Sequence, residues 1–129
     1  HLEDAKSIWI NDSYWLFLPY KLKDSGLTLT YLKIDTANGG VASHVLELTF
    51  DAVGDTPENK YHVFVDTTTM LVNQWSYFST RADEQPRFTT PWADYATYGE
   101  LKLSGNRGRA SISEIEILDS ISPNTFTYF

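Results

Sequence analysis

Apolar residues near the start of the chain recur every three or four positions, which is the spacing of one face of an α-helix. The residues in this pattern are Leu2, Ala5, Ile8 and Trp9. We predict a short N-terminal helix over residues 2–10. It should end at residues 11–13, where Asn, Asp and Ser side chains compete for backbone hydrogen bonds. The apolar residues 14–18 then predict a short extended strand in front of Pro19.

Further along the chain, apolar and polar residues alternate with a period of two, which indicates β-strands with one buried face. The segments with this pattern are 27–34, 44–50, 61–65, 70–79, 99–104 and 110–118. In the second segment, the residues expected on one face are His44, Leu46, Leu48 and Phe50. Turn-forming residues separate the segments, most clearly Asn-Gly-Gly at 38–40 and Asp-Thr-Thr-Thr at 66–69.

Residues 81–98 are less regular and contain Pro86 and Pro91, which argue against a central strand. Strands joined by short turns imply antiparallel pairing, because parallel strands need crossover helices and the pattern has none. A flat sheet of this size would leave its edges exposed, so we expect it to curve. The predicted fold is mainly β, with a strongly curved antiparallel sheet or half-barrel and a short N-terminal helix. We expect residues 1–129 to form one domain.

Composition narrows the classes of partner. The 129 residues carry a net charge of −7, which disfavours nucleic acid, because duplex binding needs clustered Lys and Arg. The chain has no Cys, which excludes disulfides, zinc–thiolate sites and thiol nucleophiles. No apolar run is long enough to span a bilayer, so we expect no transmembrane segment.

Motifs for catalysis and metal binding do not emerge from the residues. The histidines His1, His44 and His62 lack metal-ligand spacing, and a structural role is the simpler interpretation for each. No motif for an activated serine, a dinucleotide-binding loop or a phosphate loop occurs in the chain. We therefore predict no catalytic residue, no metal and no cofactor.

Carboxylates leave one enzymatic alternative open. Asp83, Glu84 and Asp94 lie near an aromatic segment, and Asp51 and Asp55 form a second group. Paired carboxylates beside aromatic side chains are typical of glycan hydrolases. The chain has 17 acidic residues, however, and some will be neighbours by chance.

Aromatic side chains are the most informative feature of the sequence, since they make up 15% of the residues. They cluster in the first twenty residues and again between residues 75 and 98. They either fill the core of a small β protein or line an apolar groove for a lipid, an acyl chain or a partner segment. The candidate ligand-binding residues are Trp15, Phe17, Trp75, Tyr77 and Trp92.

Three stretches in a fixed order carry a family resemblance. They are the Tyr-Trp to Lys-Leu-Lys-Asp run at 14–24, the Val-Gly-Asp-Thr-Pro run at 53–57 and the Val-Phe-Val-Asp strand at 63–66. Together they resemble a family of uncharacterised bacterial secreted or lipoprotein-like domains. That family is similar to the half-barrel of outer-membrane lipoprotein carriers (LolA-like). The resemblance covers residues 14–126.

The resemblance implies an incomplete antiparallel barrel whose apolar concave face shelters acyl chains, and it brings no catalytic residues. It also implies a periplasmic or extracellular protein that is lipid-anchored at full length, with further strands upstream. The resemblance thus implies that the chain is a carboxy-terminal portion of a longer protein or a short member of the family, and the lack of an initiator Met and a signal segment before His1 fits the first of these. Our first hypothesis is a non-enzymatic binding module for an apolar ligand. The alternatives are a structural or protein-interaction domain of the bacterial envelope and, third, a glycan hydrolase.

Overall fold

The computed structural model describes residues 1–125 and residue 127. This part of the chain forms an N-terminal helix followed by antiparallel strands. The elements are α1 (Leu2–Lys21), β1 (Leu27–Ala37), β2 (Val41–Phe50), β3 (Lys60–Asp66), β4 (Val72–Phe78), β5 (Phe88–Pro91), β6 (Ala93–Tyr98) and β7 (Leu101–Asn106). The predicted mainly β class with one N-terminal helix is confirmed.

The strands form two sheets. β1 to β5 pair in sequence order in a five-stranded sheet, and β6 pairs with β7 in a second sheet. Every neighbouring pair is antiparallel, as predicted. Across residues 1–125, neither sheet closes on itself or curls strongly, so the predicted half-barrel is not confirmed.

Helix α1 is twenty residues long, so the prediction of a short helix that ends at residues 11–13 is wrong. Ser13 does not break the helix, because its hydroxyl donates to the carbonyl of Ile10 at 2.7 Å, within the helix itself. The predicted strand at 14–18 is wrong for a related reason. Its apolar residues continue a stripe with helical spacing that packs against the sheet, namely Tyr14, Trp15, Leu18 and Leu22. No helix in the described part of the chain is long and apolar enough to cross a membrane.

A proline lies inside α1 and is accommodated by a distant arginine. Pro19 has no backbone N–H, so the carbonyl of Trp15 loses its helical partner. The Nη2 atom of Arg107 donates to that carbonyl at 2.7 Å. Arg107 is 3% exposed, and its guanidinium lies 3.3 Å from the ring centroid of Trp92. Burial lowers the pKa of Arg107 to about 10, so the side chain is still charged at neutral pH.

The period-two pattern predicted β1, β2, β3 and β4, although six of their eight boundaries move by one to three residues. Leu46, Leu48 and Phe50 lie on the core face of β2, as expected. The turn at 38–40 is also confirmed, with Gly39 and Gly40 at φ angles of 90° and 83°.

The least regular stretch of the sequence holds two short strands, so the expectation of irregular structure over 81–98 is partly wrong. Pro91 ends β5, which lies at the edge of the five-stranded sheet, where a proline breaks no ladder. The predicted last strand at 110–118 is wrong. After one bridge between Ser111 and Asn106 the segment has no neighbouring strand among the residues that the structure describes, and Glu114 has a φ angle of 57°.

The core lies between α1 and one face of the five-stranded sheet. Its buried members are Leu18, Leu48, Phe50, Val63, Val72, Trp75 and Trp92. Only Leu18 comes from the helix, and it lies in the C-terminal half. The C-terminal half of α1 is therefore anchored on the sheet, and this arrangement positions the site described next.

Candidate functional site

A groove lies between the N-terminal half of α1, residues 53–56 and the core face of the sheet. We name it the α1 groove. Its volume is about 730 Å³, within the range of roughly 300 to 1,000 Å³ that is usual for small-molecule sites. The aromatic side chains that line it are Trp9, Tyr14, Trp15, Phe50, Tyr61 and Trp75.

One wall of the α1 groove consists of helix residues that the core does not cover. Ile8 and Trp9 line the groove and are 61% and 73% exposed. Leu18 anchors the C-terminal half of the helix, whereas the first three turns extend past the packed region. This wall therefore presents an apolar surface to solvent. Contiguous exposed apolar surfaces often mark a binding site.

The base of the α1 groove is a cluster of aromatic rings around Trp75. Tyr61 stacks on Trp75 with ring centroids 4.8 Å apart, and Trp15 meets Trp75 edge-on at 5.1 Å. The strand register explains the cluster. Tyr61 lies opposite Tyr77, and Val63 lies opposite Trp75, so these side chains share one face of β3 and β4.

The structure brings together two of the five candidate residues in the groove, Trp15 and Trp75. Trp92 is 1% exposed and packs edge-on against Trp75 as part of the core. Tyr77 contacts the rings of Tyr61 and Phe88 without lining the groove. Phe17 is 36% exposed and also lies outside the lining.

Sequence reasoning missed Phe50 and Tyr61 as groove residues. The alternation of apolar and polar residues predicted the faces of both strands. Phe50 shares a face of β2 with Leu48, and Leu48 lies opposite Tyr61 on β3, so all three side chains are on the core face. The ring of Phe50 meets those of Tyr14 and Tyr61 at 6.1 and 5.9 Å. Their shared core face would have predicted them as groove residues, but only if the position of α1 across that face had been known.

Charge in the α1 groove is confined to a few side chains. Lys21 Nζ lies 2.6 Å from Asp24 Oδ2 and 5.0 Å from the ring centroid of Tyr14. Asp55 lies in the lining as well. Burial raises the pKa of Tyr14 and of Tyr61, so both phenols are neutral at physiological pH. The groove therefore offers an aromatic surface with neutral hydroxyls, one internal ion pair and the carboxylate of Asp55.

Two of the carboxylates considered for glycan hydrolysis, Asp83 and Asp94, accept local hydrogen bonds. Asp83 accepts bonds from the backbone N–H and hydroxyl of Thr80 at 3.0 and 2.9 Å. Asp94 accepts a bond from the side-chain amide of Asn106 at 2.8 Å, in the second sheet. Neither Asp83, Glu84 nor Asp94 lines the α1 groove.

The histidines occupy separate positions. His62 Nε2 lies 3.4 Å from Glu47 Oε2, and its ring packs on Phe78. Burial lowers the pKa of His62, although the neighbouring Glu47 acts in the opposite direction. His44 contacts the ring of Tyr31. Within residues 1–125, no three or more His, Cys, Asp or Glu side chains are grouped so as to hold a metal ion.

Comparisons with models of protein families, with curated proteins and with solved structures found no match to this chain.

Proposed function

We propose that the chain is a non-enzymatic binding module that holds an apolar ligand, a lipid or an acyl chain, in the α1 groove. One observation carries the proposal: the groove is lined by aromatic side chains, and its helical wall leaves Ile8 and Trp9 exposed. Burial of an acyl chain is worth about 0.8 kcal/mol per methylene, so a partly enclosed chain would bind usefully.

The polarity of the groove supports an uncharged or amphiphilic ligand. Lys21 and Asp24 neutralise each other, and the tyrosines Tyr14 and Tyr61 are neutral. An acyl chain could lie along the aromatic base while a polar head remains near the ion pair or in solvent. Such a ligand needs no catalytic residue and no cofactor.

The resemblance to carrier proteins supports the same site. The motif at 14–24 includes the part of α1 that contributes Tyr14 and Trp15, and the motif at 53–57 contributes Val53 to the rim. We propose that the chain is related to bacterial lipoprotein-like domains of the carrier (LolA-like) type. We further propose that the apolar face belongs to an incomplete barrel and that the protein acts in the periplasm or outside the cell, lipid-anchored at full length.

The first test is native mass spectrometry of the purified protein, followed by organic extraction. We expect a discrete added mass that extracts as a lipid. A complementary titration uses the neutral apolar dye N-phenyl-1-naphthylamine, whose fluorescence rises in apolar sites. Protein that carries no lipid and also fails to bind the dye would contradict the proposal.

A pair of variants on α1 locates the site. Trp9→Ala removes an exposed wall of the groove, and we expect dye affinity to fall about tenfold, since an aromatic contact is worth roughly 1.5 kcal/mol. Phe17→Ala is the matched control, because Phe17 is an aromatic residue of the same helix outside the lining. Equal losses in the two variants would show that the dye does not report on the α1 groove.

A second candidate, a structural or protein-interaction domain of the envelope, is favoured by a different surface. The outer edge of β1 has no neighbouring strand among residues 1–125. Unpaired edges are common sites for the addition of a strand from another chain. Purification of the protein with one defined polypeptide partner and without lipid would favour this candidate over the first.

A further inference from the structure

Among residues 1–125, the two sheets expose four strand edges, of which β1 offers the longest. β5 has four residues and ends at Pro91. β6 contains Asp94 at a φ angle of 57°. On β7, the backbone N–H and carbonyl of Lys102 are both bonded by the hydroxyl of Tyr20, at 3.0 and 3.1 Å. Short length, proline and irregular backbone are the ordinary means of protecting an edge.

The edge of β1 is long and contains no proline, and its one irregularity is a bulge at Leu32. The strand has eleven residues, and within the described part of the chain it pairs only with β2. Tyr31 and Ile34 are 55% and 58% exposed. They share one face of the sheet, because they lie opposite Leu46 and His44 across a bulge at Leu32. The edge therefore combines unpaired backbone groups with exposed apolar side chains.

Charges on β1 indicate which strand could pair with this edge. Lys33 and Asp35 point to the face opposite Ile34, and Lys33 Nζ lies 2.6 Å from Asp35 Oδ2. A strand that pairs antiparallel with this segment must place an acid opposite Lys33 and a base opposite Asp35. The same segment, reversed, has this order of charges.

We propose that the β1 edge pairs antiparallel with β1 of a second copy of the chain, about a twofold axis through Ile34. In this register Ile34 faces Ile34 of the second copy, and Lys33 faces Asp35 of the second copy on both sides of the axis. Opposite charges in directly facing positions stabilise antiparallel strands. A twofold interface of this kind is closed, so the assembly stops at a dimer.

The neighbouring registers are disfavoured by the same charges. A shift of two positions in one direction places Lys33 opposite itself, and a shift of two in the other direction places Asp35 opposite itself. Like charges in facing positions destabilise a strand pair. A shift of one position brings side chains to the wrong face and removes both ion pairs. The Ile34-centred register is therefore selected by charge.

Charge exchange tests the proposal directly. Sedimentation velocity at low salt, over a range of protein concentrations, should show a concentration-dependent dimer for the unmodified chain. Lys33→Asp makes the facing pairs wholly acidic and Asp35→Lys makes them wholly basic, so each variant alone should dimerise on the order of tenfold more weakly or not at all. An equimolar mixture of the two variants should recover the dimer, because an acidic edge then faces a basic one.

The matched control is Lys102→Asp, which makes the same charge change at an exposed position of β7 and should leave the dimer unchanged. Thermal unfolding by circular dichroism verifies that each variant is folded. Three results would overturn the proposal: a monomer at every concentration, a dimer that ignores both substitutions, or a mixture that fails to associate. A polypeptide other than this chain bound along β1 would overturn it too.

Discussion

In the C-terminal half of α1, Trp15 and Leu18 pack against the sheet and Arg107 bonds the helix backbone. In the N-terminal half, Leu2, Ile8 and Trp9 have equally apolar side chains and lie exposed. Hydrophobicity alone therefore does not decide which part of a helix joins the core. Contacts made from distant parts of the chain decide it, and they leave the other half free to form the wall of the α1 groove.

The largest effect is expected when Arg107, the cation that bonds the C-terminal half of α1, is removed. Arg107→Ala leaves the carbonyl of Trp15 without its donor and breaks the bond to the carbonyl of Ser104. We expect the free energy of unfolding to fall by about 4 kcal/mol, because two carbonyls each lose a hydrogen bond to a charged donor that is worth roughly 2 kcal/mol. Urea denaturation measures it. The control Arg109→Ala, at an exposed arginine, should cost no more than about 0.5 kcal/mol.

A second test compares the same substitution in the two halves. Leu18→Ala creates a cavity in the core and should lower the free energy of unfolding by about 3 kcal/mol. Leu2→Ala removes an exposed side chain and should change it by no more than about 0.5 kcal/mol. Urea denaturation of both variants checks the difference. Similar costs would mean that the N-terminal half of α1 is packed in solution.

A third test asks whether Arg107 acts through the gap that Pro19 makes in the helix. Pro19→Ala restores a backbone N–H that can bond the carbonyl of Trp15. In this background, Arg107→Ala should cost about 1 kcal/mol less than in the unmodified chain, the typical net worth of one hydrogen bond. A double-mutant cycle measures the coupling. A coupling of zero would contradict the proposed role of the arginine.

The smallest expected effect is the contribution of Tyr14 to the loss of stability at alkaline pH. Burial raises the pKa of Tyr14 above its ordinary value of 10.0, so the folded state retains this proton longer than the unfolded state. Stability is therefore full below pH 10 and decreases as the pH rises through the folded-state pKa. Tyr14→Phe should reduce this decrease, as measured by urea midpoints between pH 9 and 11.

Much of the sheet was predictable because strand alternation is a local property. The pattern from residue 27 to residue 79 predicted β1 to β4, and Gly39 and Gly40 marked their first turn. The segment at 110–118 has the same alternation but, beyond one bridge at Ser111, no neighbouring strand in the described part of the chain. A local pattern cannot predict whether such a strand is present. Periodicity thus indicates the conformation that a segment favours, whereas pairing depends on the rest of the fold.

The helix and the groove were only partly predictable. Residues 14–18 were assigned to a strand because five apolar residues in a row carry no clear period. Trp15 and Trp75 were correctly grouped by residue type, but Phe17 and Tyr77 were grouped with them although they lie outside the lining. The hydrogen bond between Arg107 and Trp15 joins residues 92 positions apart, and the local sequence around either residue does not predict it.

That bond also orders events during synthesis. Helix α1 leaves the ribosome before the strands that follow it, yet the carbonyl of Trp15 receives its donor only after Arg107 has emerged, 92 residues later. Until then the helix lacks the buried cation that bonds its backbone. Contacts of such long sequence separation slow folding, and exposed apolar segments on a nascent chain invite aggregation. A ribosome-bound chain that ends before residue 107 should therefore carry α1 undocked, as a substrate for chaperones.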